Sequence, residues 1–150
     1  MWALYGLNKD MKEFFLILFF SKTVLLTPTP ISIENEWIEI NPSESFSAIT
    51  GGAAIYLDVS NYIPNNLGLN EQFDAVKGKF PDGSIRGVII AENGKEFNIQ
   101  NKGSSHAKHD VRLIMDYGAP MPTDIEYTKL MLESDIPMEG ISVYWKNFKM

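Results

Sequence analysis

From Ile31 onward, apolar and polar residues alternate along the chain with a period of two. Segments 55–60 and 111–117 show this most clearly, because every second residue in them is large and apolar. A strand with this alternation presents one apolar face to a core, whereas an amphipathic helix repeats every 3.6 residues. No stretch shows capped helical periodicity over three turns, although 70–75 accommodates one short turn. The pattern therefore predicts a protein built from β-strands.

Turn-forming residues interrupt the pattern about every dozen residues, which is typical of an all-β domain. Short strands are predicted near 37–40, 46–49 and 53–59. Further strands, predicted from the turns in the next two paragraphs, bring the total to roughly eight. Eight strands are too many for one flat sheet in a domain of this size. The predicted fold is an all-β, antiparallel two-sheet sandwich of the immunoglobulin-like or jelly-roll-like kind, preceded by a hydrophobic N-terminal segment.

The clearest turn is Glu-Asn-Gly-Lys at 92–95. Asn-Gly suits the positive φ angles of a two-residue type I′ loop between two strands. Such a loop pairs Ile90 with Phe97 and Val88 with Ile99. These four side chains are predicted to form one buried face of a hairpin.

Two further connections follow from turn residues. Phe-Pro-Asp-Gly at 80–83 has the pattern of a type I turn, and it is predicted to join a strand near 74–80 to one that starts at Ser84. Segments 127–132 and 141–145 both alternate, and Pro and Gly lie between them. A terminal hairpin is predicted from this arrangement.

The N-terminal region contains an uninterrupted apolar block at 14–20, Phe-Phe-Leu-Ile-Leu-Phe-Phe, with Lys12 before it. This block resembles the hydrophobic region of a signal peptide. No Ala-x-Ala site follows, and Ser21/Thr23 or Thr27/Thr29 are the small-residue pairs available for cleavage. A cleaved signal and an uncleaved anchor both agree with this pattern, and the alternative is a buried element of the domain itself.

Thr-Pro-Thr-Pro at 27–30 follows the apolar block. Prolines at alternate positions keep the backbone extended and remove hydrogen-bond donors. The predicted organisation is a signal peptide or N-terminal anchor with a Pro-containing spacer at 1–30, and a β-sandwich domain at 31–150. The protein is expected to be exported, periplasmic or extracellular, and tethered to a membrane only if 1–30 is retained.

Charge and cysteine content exclude several functions. The chain has 19 acidic and 13 basic residues, a net charge of -6, and no clustered basic stripe. This argues against binding to nucleic acid phosphates. The absence of cysteine excludes disulfides, thiolate nucleophiles and Cys-ligated metals. No cofactor motif is present, and no cofactor is predicted.

The two histidines, His106 and His109, precede Asp110 in a Gly-Ser-Ser-rich segment. Imidazole and carboxylate groups bind zinc, nickel or copper, so these three residues are a candidate metal site. Ser104 or Ser105 with a histidine and Asp110 also supplies the residue types of a nucleophilic triad. The favoured interpretation is a solvated connection between strands, because a flexible loop does not fix ring orientation.

The longest irregular stretch, 58–70, is rich in carboxylate, amide and hydroxyl groups. Asp58, Asn61 and Asn65 would suit calcium, but the spacing of an EF-hand is missing. A recognition loop is the preferred hypothesis, because loops on a rigid sandwich often bind partners. Its candidate binding residues are Asp58, Asn61, Tyr62 and Asn65.

Aromatic side chains offer a second type of surface. Adjacent Tyr144 and Trp145 must point to opposite faces of a strand, so one of them is expected to be at least half exposed. Both are candidate binding residues. The aromatic residues that could stack on sugars if exposed are Trp37, Tyr56, Tyr62, Tyr144 and Trp145.

Taken together, the sequence favours a non-catalytic, acidic binding module outside the cytoplasm. The expected partner is a protein, as for an inhibitor, an immunity factor or an accessory subunit. One alternative is a carbohydrate-binding module with exposed aromatics. The other is a metal-dependent protein centred on His106, His109 and Asp110.

Overall fold

A computed structural model describes residues 23–107 and 110–147. Within this part of the chain lie ten strands, one α-helix and one 3₁₀ turn at Ser60–Tyr62. No helix in the described ranges is long and apolar enough to cross a membrane. The other elements are β1 (Thr23–Leu25), β2 (Ile31–Ile33), β3 (Ile38–Ile40), β4 (Ala54–Asp58), α1 (Leu69–Lys79), β5 (Ile85–Ala91), β6 (Glu96–Ala107), β7 (Asp110–Asp116), β8 (Tyr127–Ser134), β9 (Met138–Ile141) and β10 (Val143–Lys146).

Eight of the strands form one antiparallel sheet in the order β1-β10-β4-β7-β6-β5-β8-β3, and β2 pairs with β9 in a small second sheet. The larger sheet curls around one hydrophobic core, to which strands from both of its halves contribute. The all-β, sandwich-like prediction is therefore confirmed. The largest fully buried side chains include Trp145, Tyr56, Tyr127, Phe80 and Leu26.

The N-terminal end of the described chain belongs to this sheet. β1 pairs with β10, the Leu26 N–H donates to the Val143 carbonyl at 2.8 Å, and the Leu26 side chain is buried. The Thr27 hydroxyl oxygen accepts the Val143 N–H at 3.0 Å. Residues 23–27 thus contribute to the fold ahead of the predicted division at residue 30. The apolar block at 14–20 lies outside the described residues, and its targeting role stays a prediction.

The hairpin between β5 and β6 exists, but its predicted register is wrong by one residue. Ile89, not Ile90, pairs with Phe97. The loop has three residues, because the Ala91 N–H donates to the Lys95 carbonyl at 2.9 Å and Gly94 adopts a φ of 84°. A type I turn followed by a left-handed glycine produces this geometry.

The shift in register changes which side chains are buried. Phe97 and Ile99 lie in the core as predicted, whereas Val88 and Ile90 lie on the opposite face and are half-buried. A slip of one residue moves every side chain of a strand to the other face. The core face of β5 instead carries Ile85, Gly87, Ile89 and Ala91.

The predicted strand at 74–80 is wrong, because this region belongs to α1. Glu71 lies in the first turn of the helix, and Lys77 and Lys79 lie in its last turn. These charges oppose the partial charges at the helix ends and stabilise the helix. The turn at 80–83 is present, with the Ser84 N–H donating to the Pro81 carbonyl, but it joins a helix to β5.

The predicted terminal hairpin is also wrong. β8 pairs with β3 and β5, whereas β10 pairs with β1 and β4. β9 lies between them along the chain and pairs with β2. At 46–49 the predicted strand reduces to a single bridge between Phe46 and Tyr127. These pairings are long-range, so local alternation could not reveal them.

Candidate functional site

The solvent-facing side of β3, β8, β5 and β6 carries the most distinctive surface in the described part of the chain. Val88 on β5 pairs with Met131 on β8, and both side chains are half-buried. Antiparallel sheets commonly have one polar, solvated face. The middle of this face is apolar instead. The outer face, as we name it, comprises Trp37, Glu39, Arg86, Val88, Ile90, Asn98, Gln100, Asp116, Lys129, Met131 and Glu133.

Ion pairs flank the apolar centre of the outer face. Arg86 Nε donates to Glu133 Oε1 at 2.9 Å, and Arg86 Nη2 donates to Asp135 Oδ1 at 2.7 Å. On the other side, Lys129 Nζ lies 2.9 Å from Glu39 Oε1. Charged groups around an apolar centre are the usual arrangement of a protein interface.

The hydrogen bonds within these ion pairs shift the pKa values of three of their members. Hydrogen bonds from Arg86 lower the pKa of the Asp135 carboxyl, and the hydrogen bond from Lys129 lowers the pKa of Glu39. Hydrogen bonds to Asp135 and Glu133 raise the pKa of Arg86. Asp135, Glu39 and Arg86 are therefore ionised at neutral pH. The partially exposed Arg86 presents a fixed guanidinium at the end of the apolar stripe.

Trp37 is the main aromatic group of the outer face. Its side chain is 47% exposed, which is unusual for so large an apolar group. Trp37 borders a groove of about 530 Å³ that Arg86 and Val88 also line. Amide and carboxylate side chains from β6 and β7 complete the groove, namely Asn98, Gln100 and Asp116. Trp and Arg are the residues most enriched at the energetic centres of interfaces.

The predicted recognition loop is mostly folded onto the domain. Asp58 Oδ1 accepts hydrogen bonds from the Ser60 N–H at 2.9 Å and the Ser60 hydroxyl at 2.6 Å. The Tyr62 hydroxyl contacts the Glu139 backbone, and the Tyr62 ring packs edge-on against Phe80. These two side chains organise the loop, while Asn61 and Asn65 are exposed.

The two adjacent aromatics point to opposite faces as alternation requires, but the prediction that one of them is at least half exposed is wrong. Trp145 is 0% exposed and donates its indole N–H to the Ser47 carbonyl at 2.9 Å. It is a core residue and cannot contact a partner at the surface. Tyr144 is half-buried beneath the Arg112 guanidinium, which lies 4.5 Å from its ring. Tyr56 is buried as well.

The expected solvated connection at 103–110 is wrong in part, because β6 extends through Ala107. Ser104 and His106 pair with β7 residues in this strand. Asp110 is exposed at the start of β7, and His109 lies outside the described residues. Among the residues that are described, no three His, Asp or Glu side chains form a group that could hold a metal.

Sequence reasoning missed the outer face because of the one-residue register error. The predicted register places Val88 and Ile90 in the core, which leaves no apolar stripe for the surface. The sequence identifies Trp37 only as one aromatic among several. Its position ahead of an edge strand, in a stretch with Glu34 and Glu36, is a local signal for exposure.

Comparison with known proteins adds no family. No protein-family model matches the chain, and no curated protein and no solved structure is significantly similar to it.

Proposed function

We propose that this protein is a binding module that acts outside the cytoplasm and recognises a protein partner through its outer face. The observation that carries the proposal is Trp37, which is 47% exposed beside the half-buried stripe of Val88, Ile90 and Met131. An exposed apolar patch with a polar rim is characteristic of a protein interaction site. The roles that fit are an inhibitor, an immunity factor or an accessory subunit.

The rigidity of the outer face supports this proposal. Its side chains project from paired strands, and the Arg86 and Lys129 ion pairs hold the long charged side chains in place. Binding then orders few additional groups, which reduces its entropic cost. A preformed face of this kind suits a folded partner.

Export is the second part of the proposal, and it rests on the apolar block at 14–20. A domain without cysteine can fold outside the cytoplasm, since one buried core stabilises it without disulfides. The net charge of -6 makes nucleic acid an unsuitable partner. The protein contacts the membrane only through residues 1–30, when this segment is retained as an anchor.

The test uses the immobilised full-length protein and a cell-envelope extract of the source organism. We expect the wild type to capture a specific protein that the Trp37→Ala variant does not capture. With that protein purified, Trp37→Ala should weaken binding by about 30-fold, which corresponds to the roughly 2 kcal/mol of an interface hot spot.

The matched control is Leu25→Ala. Leu25 has the same exposed fraction as Trp37, 47%, but lies on the edge strand β1, away from the outer face. This variant should bind the captured protein like the wild type. Equal capture by the wild type and Trp37→Ala would reject the outer face as the binding surface.

A second candidate function is carbohydrate binding at the same groove. The observation that favours it is the set of hydrogen-bonding groups beside Trp37, namely Asn98, Gln100 and Asp116. An indole ring can stack on a sugar while amides and carboxylates bind its hydroxyls. Retention on insoluble cellulose, chitin or peptidoglycan that Trp37→Ala and Asn98→Ala both abolish would establish this function instead.

A further inference from the structure

A second cluster of polar side chains lies on the opposite face of β6, where α1 covers the sheet. Ser104 Oγ lies 2.7 Å from His106 Nε2, and His106 Nδ1 lies 3.2 Å from Gln72 Oε1. Residues two apart on a strand project to the same face, so the regular geometry of β6 brings Ser104 and His106 together. Gln72 reaches them from the buried side of α1.

The hydrogen bonds assign the proton positions in this cluster. Gln72 Nε2 donates to the Leu67 carbonyl at 3.4 Å, so its Oε1 faces His106. An amide oxygen can only accept, and His106 Nδ1 must therefore carry the hydrogen. His106 Nε2 is left as an acceptor for the Ser104 hydroxyl. Burial lowers the pKa of His106, which keeps this acceptor unprotonated at neutral pH.

One aromatic ring and one amide restrict the orientation of His106. The Phe73 ring lies 4.1 Å from the imidazole, centroid to centroid. Gln72, which is mostly buried, holds the other nitrogen. A base whose ring is fixed by a third group next to a hydroxyl is the geometric signature of an activated nucleophile.

A groove of about 390 Å³ adjoins Ser104. Four apolar side chains line one part of it, namely Phe73, Val76, Phe80 and Leu113, and the charged residues Lys77, Asp82 and Lys102 line the rest. Asn101 fixes its base, because the Asn101 side chain accepts the Ile85 N–H and donates to the Phe80 and Pro81 carbonyls. The apolar part of the groove is suited to a short apolar chain, and its charged part leaves room for a polar leaving group.

We propose that Ser104 and His106 form a nucleophile and general base that hydrolyse esters with a short apolar acyl group, with Gln72 as the positioning residue. The site lies on the opposite face of β6 from the outer face, and it adds a reaction to the proposed binding function. Ser104 and His106 are both partly exposed, so a substrate can reach them.

The reaction balances with water as the only co-reactant. Ser104 Oγ attacks the ester carbonyl while its proton passes to His106 Nε2. The ester C–O bond breaks, and the same proton goes to the departing alkoxide. Water then gives a proton to His106 Nε2 and attacks the acyl-serine, and that proton returns to Ser104 as the carboxylic acid is released.

The experiment measures hydrolysis of p-nitrophenyl butyrate by the full-length protein and its labelling by a fluorophosphonate probe. We expect hydrolysis above the buffer rate, with the label located at Ser104 by peptide mass spectrometry. Ser104→Ala should remove the label. It should also lower the rate by about 100-fold, the lower end of the range for losing an assisted proton transfer, because the nucleophile and its proton transfer to His106 are both removed.

Ser105→Ala is the matched control, because Ser105 pairs with Arg112 and projects to the other face of β6. It should keep both the rate and the label. Gln72→Glu retains an acceptor for His106 Nδ1 and should hydrolyse the ester, whereas Gln72→Leu should not.

Two results would overturn the proposal. One is a folded wild type, shown by circular dichroism, that neither hydrolyses the ester nor takes up the label. The other is an equal rate in the wild type and Ser104→Ala, which would mean that the imidazole alone acts on the activated ester.

Discussion

The rings of Tyr127 and Trp145 lie 5.5 Å apart, centroid to centroid. Tyr127 begins β8, the seventh strand in the sheet order, whereas Trp145 lies on β10, the second strand. Strands five places apart in a flat sheet would be more than 20 Å apart at the usual spacing of roughly 4.8 Å. The contact therefore requires the sheet to curl. Phe46 packs on both rings and completes the cluster.

A first prediction compares two tryptophans. Trp145→Ala should lower the free energy of unfolding by about 3 to 5 kcal/mol, because it removes a fully buried indole from this cluster. Trp37→Ala makes the same chemical change at an exposed position and should alter stability by less than about 0.5 kcal/mol. Urea denaturation measures both, and similar losses in the two variants would contradict this account of the core.

Local alternation was sufficient to predict several strands. β4 and β7 lie where the period of two placed them, since each sends alternate side chains into one core, although Tyr56 on the other face of β4 is buried as well. Alternation does not identify the neighbour of a strand, however. The failed terminal hairpin shows this, because β10 joins β1 and β4 across more than 80 residues of sequence.

Two other errors have local physical causes. The buried face of α1 includes Gln72, while Leu69 and Phe73 are exposed, so its hydrophobic pattern does not follow its burial. In the hairpin, the small residues Gly87 and Ala91 are buried, although larger apolar residues lie next to them in the strand. Sequence reasoning favours the larger Val88 and Ile90 for the core, and this choice also concealed the outer face.

The sequence offers Ser104 and a histidine as residue types of a nucleophilic triad with Asp110, but the third group that contacts His106 in the structure is Gln72. Spacing shows two polar residues two positions apart, and only the packing of α1 brings the third group to them. The Gly-Ser-Ser-rich sequence of the same segment predicts a flexible connection. In the structure, Gly103, at a φ of 80°, lies at the register shift between Asn101 and Ser104 and lets β6 continue.

A second prediction concerns two glycines. A Cβ at Gly87 would lie 2.9 Å from both Ile99 Cγ1 and Leu132 Cδ2, so Gly87→Ala should destabilise the protein by about 1 to 3 kcal/mol through overpacking. Gly78 lies in α1, and a Cβ there would meet nothing within 4 Å. Gly78→Ala should therefore stabilise by up to about 1 kcal/mol. Thermal denaturation distinguishes the two signs, and a neutral Gly87→Ala would argue against the register of β5.

A third prediction is a pH dependence of stability. Burial lowers the pKa of His106 in the folded protein from its ordinary value of 6.5. The unfolded chain then binds the proton more readily, so the contribution of His106 is present above pH 6.5 and is lost as the pH falls through the lower folded pKa. His106→Gln should flatten the decline of the melting temperature between about pH 7 and pH 5. Parallel declines in the two proteins would exclude this role.

The last prediction concerns the N-terminal boundary of the folded domain. A fragment that begins at Thr23 retains β1 and the buried Leu26, whereas one that begins at Ile31 loses both. The shorter fragment should be less stable by at least about 2 kcal/mol, the lower range for removal of a buried leucine. It should also aggregate more readily, because β10 becomes an uncovered edge strand.

Denaturant midpoints and light scattering of the two fragments test this boundary, with Leu26→Ala in the longer fragment as the control for the side chain alone. Equal midpoints would mean that β1 contributes nothing and that the domain starts at Ile31.

If the protein is exported with cleavage, the contribution of β1 to the fold also predicts the processing site. Cleavage at the Ser21/Thr23 pair leaves Val24, Leu25 and Leu26 to pair with β10, whereas cleavage at Thr27/Thr29 removes them. We expect mass spectrometry of the mature protein to find an N-terminus ahead of Leu25.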